Sequence, residues 1–418
     1  MESNILALEI YQIISVIIFL TAVFAYVNER WIKLPGTIGI MILAMFSSLL
    51  IVLVGNLIPT FSTEAHKLVA NINFEQVLMK IMLGFLLFAG ALHIDANKLK
   101  DEIWPVIILS TIGTFISTFL VSVMAYYLFQ IFQFAIPYIY CLLFGALISP
   151  TDPIAVMGIL KRVGIPKSLE LKIAGESLFN DGVGVVIFLT ILEIATNGMA
   201  KFSINSTALL FVKEAGGGIV FGGAIGYLAY FLIKAIDNYS VEVLITLTVV
   251  MCGYALADHL HLSGPLAIII IAGIIIGTKG KRKGFSEITR DHLLKFWDML
   301  DEIFNAILFL LMGLEMLVIK IDPTVMLIGF IMIFVVLFAR YICVFLPIAV
   351  LRFWIKFEKN AIAMLTWGGL RGGLSVAMAL SLPEAMHRNE FVLITYLIVI
   401  FSVTVQGLTI GKLAQKSN

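Results

Sequence analysis

The stretch LISPTDPIAV, residues 147 to 156, places oxygen-bearing side chains where the backbone cannot remain helical. Thr151 and Asp152 lie between Pro150 and Pro153 inside an otherwise apolar run. Proline has no backbone N–H and its ring collides with the carbonyl four residues earlier, so two carbonyls of the preceding turn lose their partners. We therefore predict an unwound segment whose free oxygens bind a cation, with Asp152 offsetting the positive end of the helix that follows.

A second polar motif, GESLFNDGVGVV, follows in the next apolar run. Ser177 and Asp181 are four residues apart and share one helix face, while Glu176 and Asn180 share the neighbouring face. Carboxylate, hydroxyl and carbonyl oxygens suit a hard cation. Burial also favours the neutral form of a carboxyl group, so Asp181 can hold a proton instead. A site that takes either one but not both is an exchanger, and we assign Asp181 as its carrier; the alternative is a structural salt bridge.

A third intramembrane charge, Arg371, lies in LRGGLSVAMALSLP. Charges at this depth cost about 2.5–3.5 kcal/mol each, which makes those that remain functional candidates. Small residues on both sides allow a close approach of helices. We expect Arg371 to pair with Glu176, in a structural rather than a catalytic role. The small residues are Gly368, Gly369, Gly372 and Gly373.

The composition is that of an integral membrane protein. The chain of 418 residues is 61% hydrophobic and 13% charged, whereas soluble domains carry about 25% charged residues. Runs of about 20 apolar residues recur throughout, which predicts an all-α polytopic bundle. About thirteen spans are expected, starting near Ile5, Thr37, Phe74, Ile103, Ala135, Leu169, Leu209, Val241, Gly264, Phe296, Val325, Ala361 and Glu390.

Basic residues in the loops predict the orientation. Of the 28 Lys and Arg residues, 20 fall in one alternate set of breaks between the spans and six fall in the other. Cytoplasmic loops carry the excess of basic residues. We expect the amino terminus outside and the carboxyl terminus in the cytoplasm, in a bacterial or archaeal plasma membrane.

Interrupted spans recur at corresponding places in two halves of the chain. The proline-broken span is the fifth, and the glycine-broken span with Arg371 is the twelfth. This placement is typical of inverted-repeat transporters with discontinuous helices. We expect one transporter unit without a soluble regulatory domain, with spans one to six over about 5–198, a linking span over about 207–235 and spans eight to thirteen over about 239–412.

At these residues the sequence resembles the monovalent cation:proton antiporters of the NhaP and eukaryotic sodium/proton exchanger type. The resemblance rests on SPTDP, GESLFNDG and LRGGLSVAMALSLP. It implies the sodium/proton antiporter fold, a homodimer, and an elevator-type cycle in which a mobile six-helix core carries the ion. It also implies an ion site formed by Asp181, Ser177, Thr151 and Asp152, supported by Asn180 and by a pair of Glu176 with Arg371.

The expected function is exchange of Na+, or Li+, for H+, without a cofactor or a transition metal. Asn180 stands where the electrogenic branch of the superfamily has a second aspartate, so the resemblance implies electroneutral one-for-one exchange. Ala89 stands where archaeal relatives carry an ion-binding glutamate in the third span. This departure leaves K+/H+ antiport as the alternative.

Further polar residues cluster near the cytoplasmic ends of the predicted spans. Histidine titrates close to neutrality, so His93 with Asp95 could sense pH, although interfacial polar residues are the commoner explanation. A polar turn at the start of the tenth span could draw cations inward, and a solvated helix end explains it equally well. The turn contains Asp298, Asp301, Glu302 and Asn305.

Two other functional classes are compatible with buried carboxylates. Intramembrane aspartyl proteases carry a Tyr-Asp and a Gly-x-Gly-Asp motif. In this sequence Asp152 follows Thr151 and Asp181 follows Asn180, so neither aspartate matches that pattern. A cation channel would have a continuous pore and carry current, which an electroneutral exchanger does not. We expect a transporter rather than an enzyme, with membrane lipid but no nucleic acid as a partner.

Overall fold

A computed structural model describes residues 2–55, 74–197, 204–264, 272–279 and 287–415. Helices and the connections between them make up this part of the chain, which contains no β-strand. The all-helical fold predicted from the composition is confirmed. The helices are α1 Glu2–Val27, α2 Gly36–Gly55, α3 Val77–His93, α4 Ala96–Ile131, α5 Tyr138–Ile148, α6 Ile154–Val163, α7 Lys167–Asn197, α8 Ile204–Lys234, α9 Tyr239–His259, α10 Ile274–Lys279, α11 Glu287–Glu315, α12 Pro323–Leu351, α13 Ala361–Gly368, α14 Gly373–Leu380 and α15 Arg388–Gln415.

Eight of the helices in the described ranges are long and apolar enough to cross a membrane, namely α1, α2, α4, α7, α8, α9, α12 and α15. The count of thirteen spans stays a prediction, because part of the ninth expected span, residues 265–271, lies outside the described residues. The orientation also stays a prediction. Some of the basic residues on which it rests likewise lie outside the described residues: Lys67, Lys201, Lys281, Arg282, Lys283 and Lys416.

Two helices begin earlier than the apolar pattern predicted. α4 begins at Ala96 rather than near Ile103, because Asp95 accepts a hydrogen bond from the N–H of Asn97 and caps the helix. α11 begins at Glu287 rather than near Phe296. Polar first turns therefore extend both helices beyond their apolar segments.

The broken pairs of helices, α5–α6 and α13–α14, pack among the long helices. α5 lies against α4 and α7, α14 lies against α5 and α15, and α12 packs along α15. Phe144 of α5 stacks on Phe391 of α15 with ring centroids 5.3 Å apart. α5 and α14 thus pack in one apolar cluster, while α6 and α13 pack in a second one.

Candidate functional site

The two broken helices touch at their breaks, residues 149–153 and 369–372, so both predicted interruptions are confirmed. The backbone N–H of Asp152 in the first break donates to the carbonyl of Leu370 in the second at 2.9 Å. Any side chain at Gly372 would collide with Asp152. The missing Cβ at this position therefore permits the close approach of the two breaks.

Arg371 binds the carbonyls at the end of α5. Its Nη1 donates to the carbonyl of Pro150 at 2.7 Å and to that of Ser149, and its side chain is buried. A positive charge at this end of a helix is favourable, because the helix dipole is negative there. The Ala146 carbonyl accepts the N–H of Ser149 at 3.4 Å. The two carbonyls that the prolines were expected to free for a cation are those of Ala146 and Ser149. The Ser149 carbonyl instead binds Arg371 of the second break.

Thr151, in the first break, is held by two residues of α7. Asn180 donates from Nδ2 to Thr151 Oγ1 at 2.8 Å and accepts from the N–H of Thr151 at 3.2 Å. The hydroxyl of Ser177 donates to the Thr151 carbonyl. All three residues are buried. The geometry thus brings three of the predicted site residues together and fixes the unwound backbone against α7.

Asp152 and Asp181 border this cluster and are both half-buried, so they are more accessible than Ser177 and Asn180. Oδ1 of Asp152 accepts from the N–H of Ile154 at 2.9 Å and so compensates the start of α6. Asp152 follows Thr151 and Asp181 follows Asn180, so the hydrogen bonds between Thr151 and Asn180 bring the two aspartates to the same part of the site. Like charges repel, and a monovalent cation or a proton bound to one of them would relieve the repulsion.

One face of α11 carries a row of polar side chains, which we call the acidic line, that leads towards the carboxylates of Asp152 and Asp181. Asp298 is exposed, Asp301 is half-buried and Asn305 is buried, which is the order expected for one helix face entering the protein. Asp301 lies four residues before Asn305 on this face and interacts electrostatically with Asp152. Glu302, an expected entry residue, is exposed beside this line.

His93 and Asp95 lie at the connection between α3 and α4. Nε2 of His93 is 2.7 Å from Oδ1 of Asp298, at the exposed end of the acidic line. Asp95 caps α4, which gives it a structural role. A pH-sensing role of His93 stays a prediction.

Glu176 pairs with Arg340 of α12, so the expected pair with Arg371 is wrong. Arg340 Nη2 is 2.9 Å from Glu176 Oε2, Nη1 contacts Oε1, and both residues are buried. Arg340 also donates to the carbonyl of Leu365 from Nε at 3.2 Å and from Nη2 at 2.9 Å. Sequence reasoning missed Arg340, although a charge inside the apolar α12 was the signal that could have revealed it.

Ala89 is buried in an apolar cluster with Phe88 and Trp297. The neighbouring Gly90 faces α7, since a Cβ there would lie 3.6 Å from Leu178. α3 therefore presents apolar atoms to α7 at this level.

Known proteins share this combination of helices and motifs. The family model for "Sodium/hydrogen exchanger, transmembrane" matches residues 17–416. The chain belongs to the sodium/hydrogen exchanger family. This exchanger is 45% identical to the Na(+)/H(+) antiporter NhaP of Pseudomonas aeruginosa, over 97% of its own length and 96% of that protein. It is 35% identical to the Na(+)/H(+) antiporter NhaH of Halobacillus dabanensis, over 82% and 83% of the two chains.

The exchanger also shares its fold with a solved structure, that of the sodium proton antiporter MjNhaP1 from Methanocaldococcus jannaschii. The two chains superpose with a TM-score of 0.76 over 99% of each, at 22% sequence identity. This likeness confirms the predicted antiporter fold. The exchanger is thus a multi-pass membrane protein of a transporter family.

Proposed function

We propose that this exchanger carries Na+ in one direction and H+ in the other, one for one, with Asp181 alternately cation-bound and protonated. The observation that carries the proposal is the half-buried Asp181 carboxylate beside Asp152, at a helix break held against α7. The bacterial relatives are named Na(+)/H(+) antiporters, which supports Na+ as the cation. The plasma membrane is the proposed location, with the amino terminus outside and the carboxyl terminus in the cytoplasm.

Hydrogen bonding leaves suitable oxygen atoms for the cation. The Ser177 hydroxyl donates a hydrogen bond to the Thr151 carbonyl, so its lone pairs remain available as ligands. Thr151 Oγ1 accepts one bond from Asn180 and keeps a second lone pair. Together with the carboxylates of Asp181 and Asp152, these atoms form an oxygen-only set suited to a hard monovalent cation.

Electroneutral exchange follows if Asp181 alone changes its occupancy. Asn180 is neutral and uses both ends of its amide on Thr151. The Asp152 charge is compensated by the start of α6 and lies in the same pair of breaks as Arg371. Replacing Na+ by H+ on Asp181 then leaves the charge of the site unchanged.

Alternating access would move the site as a unit. Side-chain and backbone hydrogen bonds tie both breaks to each other and the first break to α7, so the ion ligands share one rigid group. We propose that this group, within a mobile core, slides past the remaining helices in an elevator-type cycle. A homodimer would supply the fixed frame.

The test uses purified protein in liposomes with an imposed pH gradient, to which Na+, Li+ and K+ are added in turn. We expect Na+ and Li+ to dissipate the gradient and Asp181→Asn to abolish the response. Asp101→Asn is the matched control, because Asp101 is exposed at the start of α4. If no cation dissipates the gradient, or if Asp181→Asn keeps full activity, the proposed function is wrong.

The same panel separates the alternative functions. A response to K+ alone would assign K+/H+ antiport. Cation currents without proton movement would assign a channel.

A further inference from the structure

A buried ammonium group lies outside the ion site, near the start of α7. Lys172 is 1% exposed, and its Nζ lies 2.9 and 3.1 Å from the two carboxylate oxygens of Glu358. It also lies 3.0 Å from Oε2 of Glu102 on α4. Lysine is rarely buried unless it is paired. Here one lysine is shared by two carboxylates on different parts of the chain.

Glu358 connects this cluster directly to α13. Its backbone carbonyl accepts the N–H of Ala361, the first residue of α13, at 3.1 Å. Its carboxylate binds Lys172 and accepts a hydrogen bond from Ser168. The beginning of α13 is therefore tied to α7 through one glutamate.

The other end of α13 is tied to the same face of α7. Glu176 follows Lys172 by four residues, which places both on one side of the helix. Glu176 binds Arg340, whose guanidinium donates to the carbonyl of Leu365 near the end of α13. Two ion pairs one turn apart thus fix a helix of only eight residues, which is too short to be stable by itself.

The segment after α13 reaches the ion site. Leu370 accepts the backbone N–H of Asp152, and Arg371 binds the carbonyls of Ser149 and Pro150. A shift of α13 would therefore move the residues that hold the first break. We propose that Lys172 and Glu358 are positioning residues for the ion site, which determine where the second break lies. Lys172 is about 13 Å from Asp181 along α7. This inference rests on the exchange activity proposed above.

The tie between Lys172 and Glu358 persists across the physiological pH range. Burial opposes ionisation of Glu358, but hydrogen bonds from Ser168 and Lys172 outweigh it and hold the pKa of Glu358 below its ordinary value. A carboxylate with a lowered pKa contributes stability above its unfolded pKa and loses it as the pH falls through the folded pKa. The tie is therefore lost only in acid, below the ordinary glutamate pKa.

The experiment compares Glu358→Gln with Glu102→Gln. Each change removes one carboxylate from Lys172 and leaves the other as a one-to-one partner, so both variants are matched in charge and chemistry. Only Glu358 is bonded to α13. We expect Glu358→Gln to raise the KM for Na+ by about three- to tenfold at a nearly unchanged maximal rate, and Glu102→Gln to stay within about twofold of the wild type.

A second readout does not depend on transport. Hydrogen–deuterium exchange of residues 352–372 should accelerate in Glu358→Gln and not in Glu102→Gln. Equal KM values for both variants, or a loss of maximal rate and folded protein without a KM change, would overturn the proposal. If the wild type carries no cation, the proposed function fails. The hydrogen–deuterium exchange rates still decide whether Glu358 holds α13.

Discussion

At the residue scale, the buried pair of Glu176 and Arg340 has the largest expected effect on stability. Removing one member of a buried ion pair leaves an uncompensated charge and costs about 3–5 kcal/mol. We predict that Glu176→Gln and Arg340→Gln each lower the melting temperature of the purified protein strongly. A double-mutant cycle should couple Glu176 with Arg340 by more than about 1 kcal/mol, and more strongly than it couples Glu176 with Arg371. Coupling with Arg371 as strong as that with Arg340 would contradict the pairing.

Thr151 offers a subtler test, because its hydroxyl is the acceptor for the buried Asn180 amide. Thr151→Val keeps the shape but leaves that amide unpaired, at a cost of about 1–3 kcal/mol. We predict a KM for Na+ raised about tenfold or more. Thr151→Ser, which keeps the hydroxyl, should remain close to the wild type. The proposed ligand geometry is wrong if valine and serine behave alike in cation-dependent dissipation of a pH gradient.

Residue types and spacing predicted which side chains meet, but not all of their partners. Thr151, Ser177 and Asn180 come together as expected, because one motif breaks a helix and the other presents polar groups on a regular one. The choice between Arg340 and Arg371 as the partner of Glu176 depends on the rotation of α12 about its axis and on which arginine binds the α5 carbonyls. The spacing of residues along the chain determines neither of these.

At the element scale, the contact of the two breaks depends on a missing side chain. Gly372→Ala would place a Cβ against Asp152, so either break must move. We predict that this variant folds but loses most of its exchange rate. Gly158→Ala on α6 is the matched control, since a Cβ there meets no atom within 4 Å and alanine favours a helix by up to about 1 kcal/mol over glycine. Equal rates for both variants in the liposome assay would show that close approach is not required.

Helix breaks were the most predictable elements, because proline and glycine act locally. Pro150 and Pro153 remove hydrogen bonds whatever the surroundings, and the glycines around Arg371 lower the local helix propensity. Helix starts were less predictable. α4 begins before its apolar run because a polar cap, Asp95, determines where it starts.

At the scale of the whole molecule, the balance of buried charge determines how the exchanger responds to membrane potential. Glu176 is neutralised by Arg340, and Lys172 is bound by Glu102 and Glu358. Arg371 and Asp152 lie in the two touching breaks. This arrangement is consistent with the proposal that Asp181 is the carboxylate whose charge is met by the transported species.

This balance predicts that membrane potential does not alter the equilibrium of exchange. Each net charge moved across the membrane is worth about 2.3 kcal/mol per 100 mV, roughly a 50-fold change in the ion ratio at equilibrium. We expect the Na+ distribution reached under a fixed pH gradient to be the same with and without an imposed potential of about 100 mV. Liposomes holding Asp181→Asn report the passive leak. A shift of the distribution with potential would mean that net charge moves in each cycle, as it would if Asp152 also took up a proton and two protons were exchanged for one Na+.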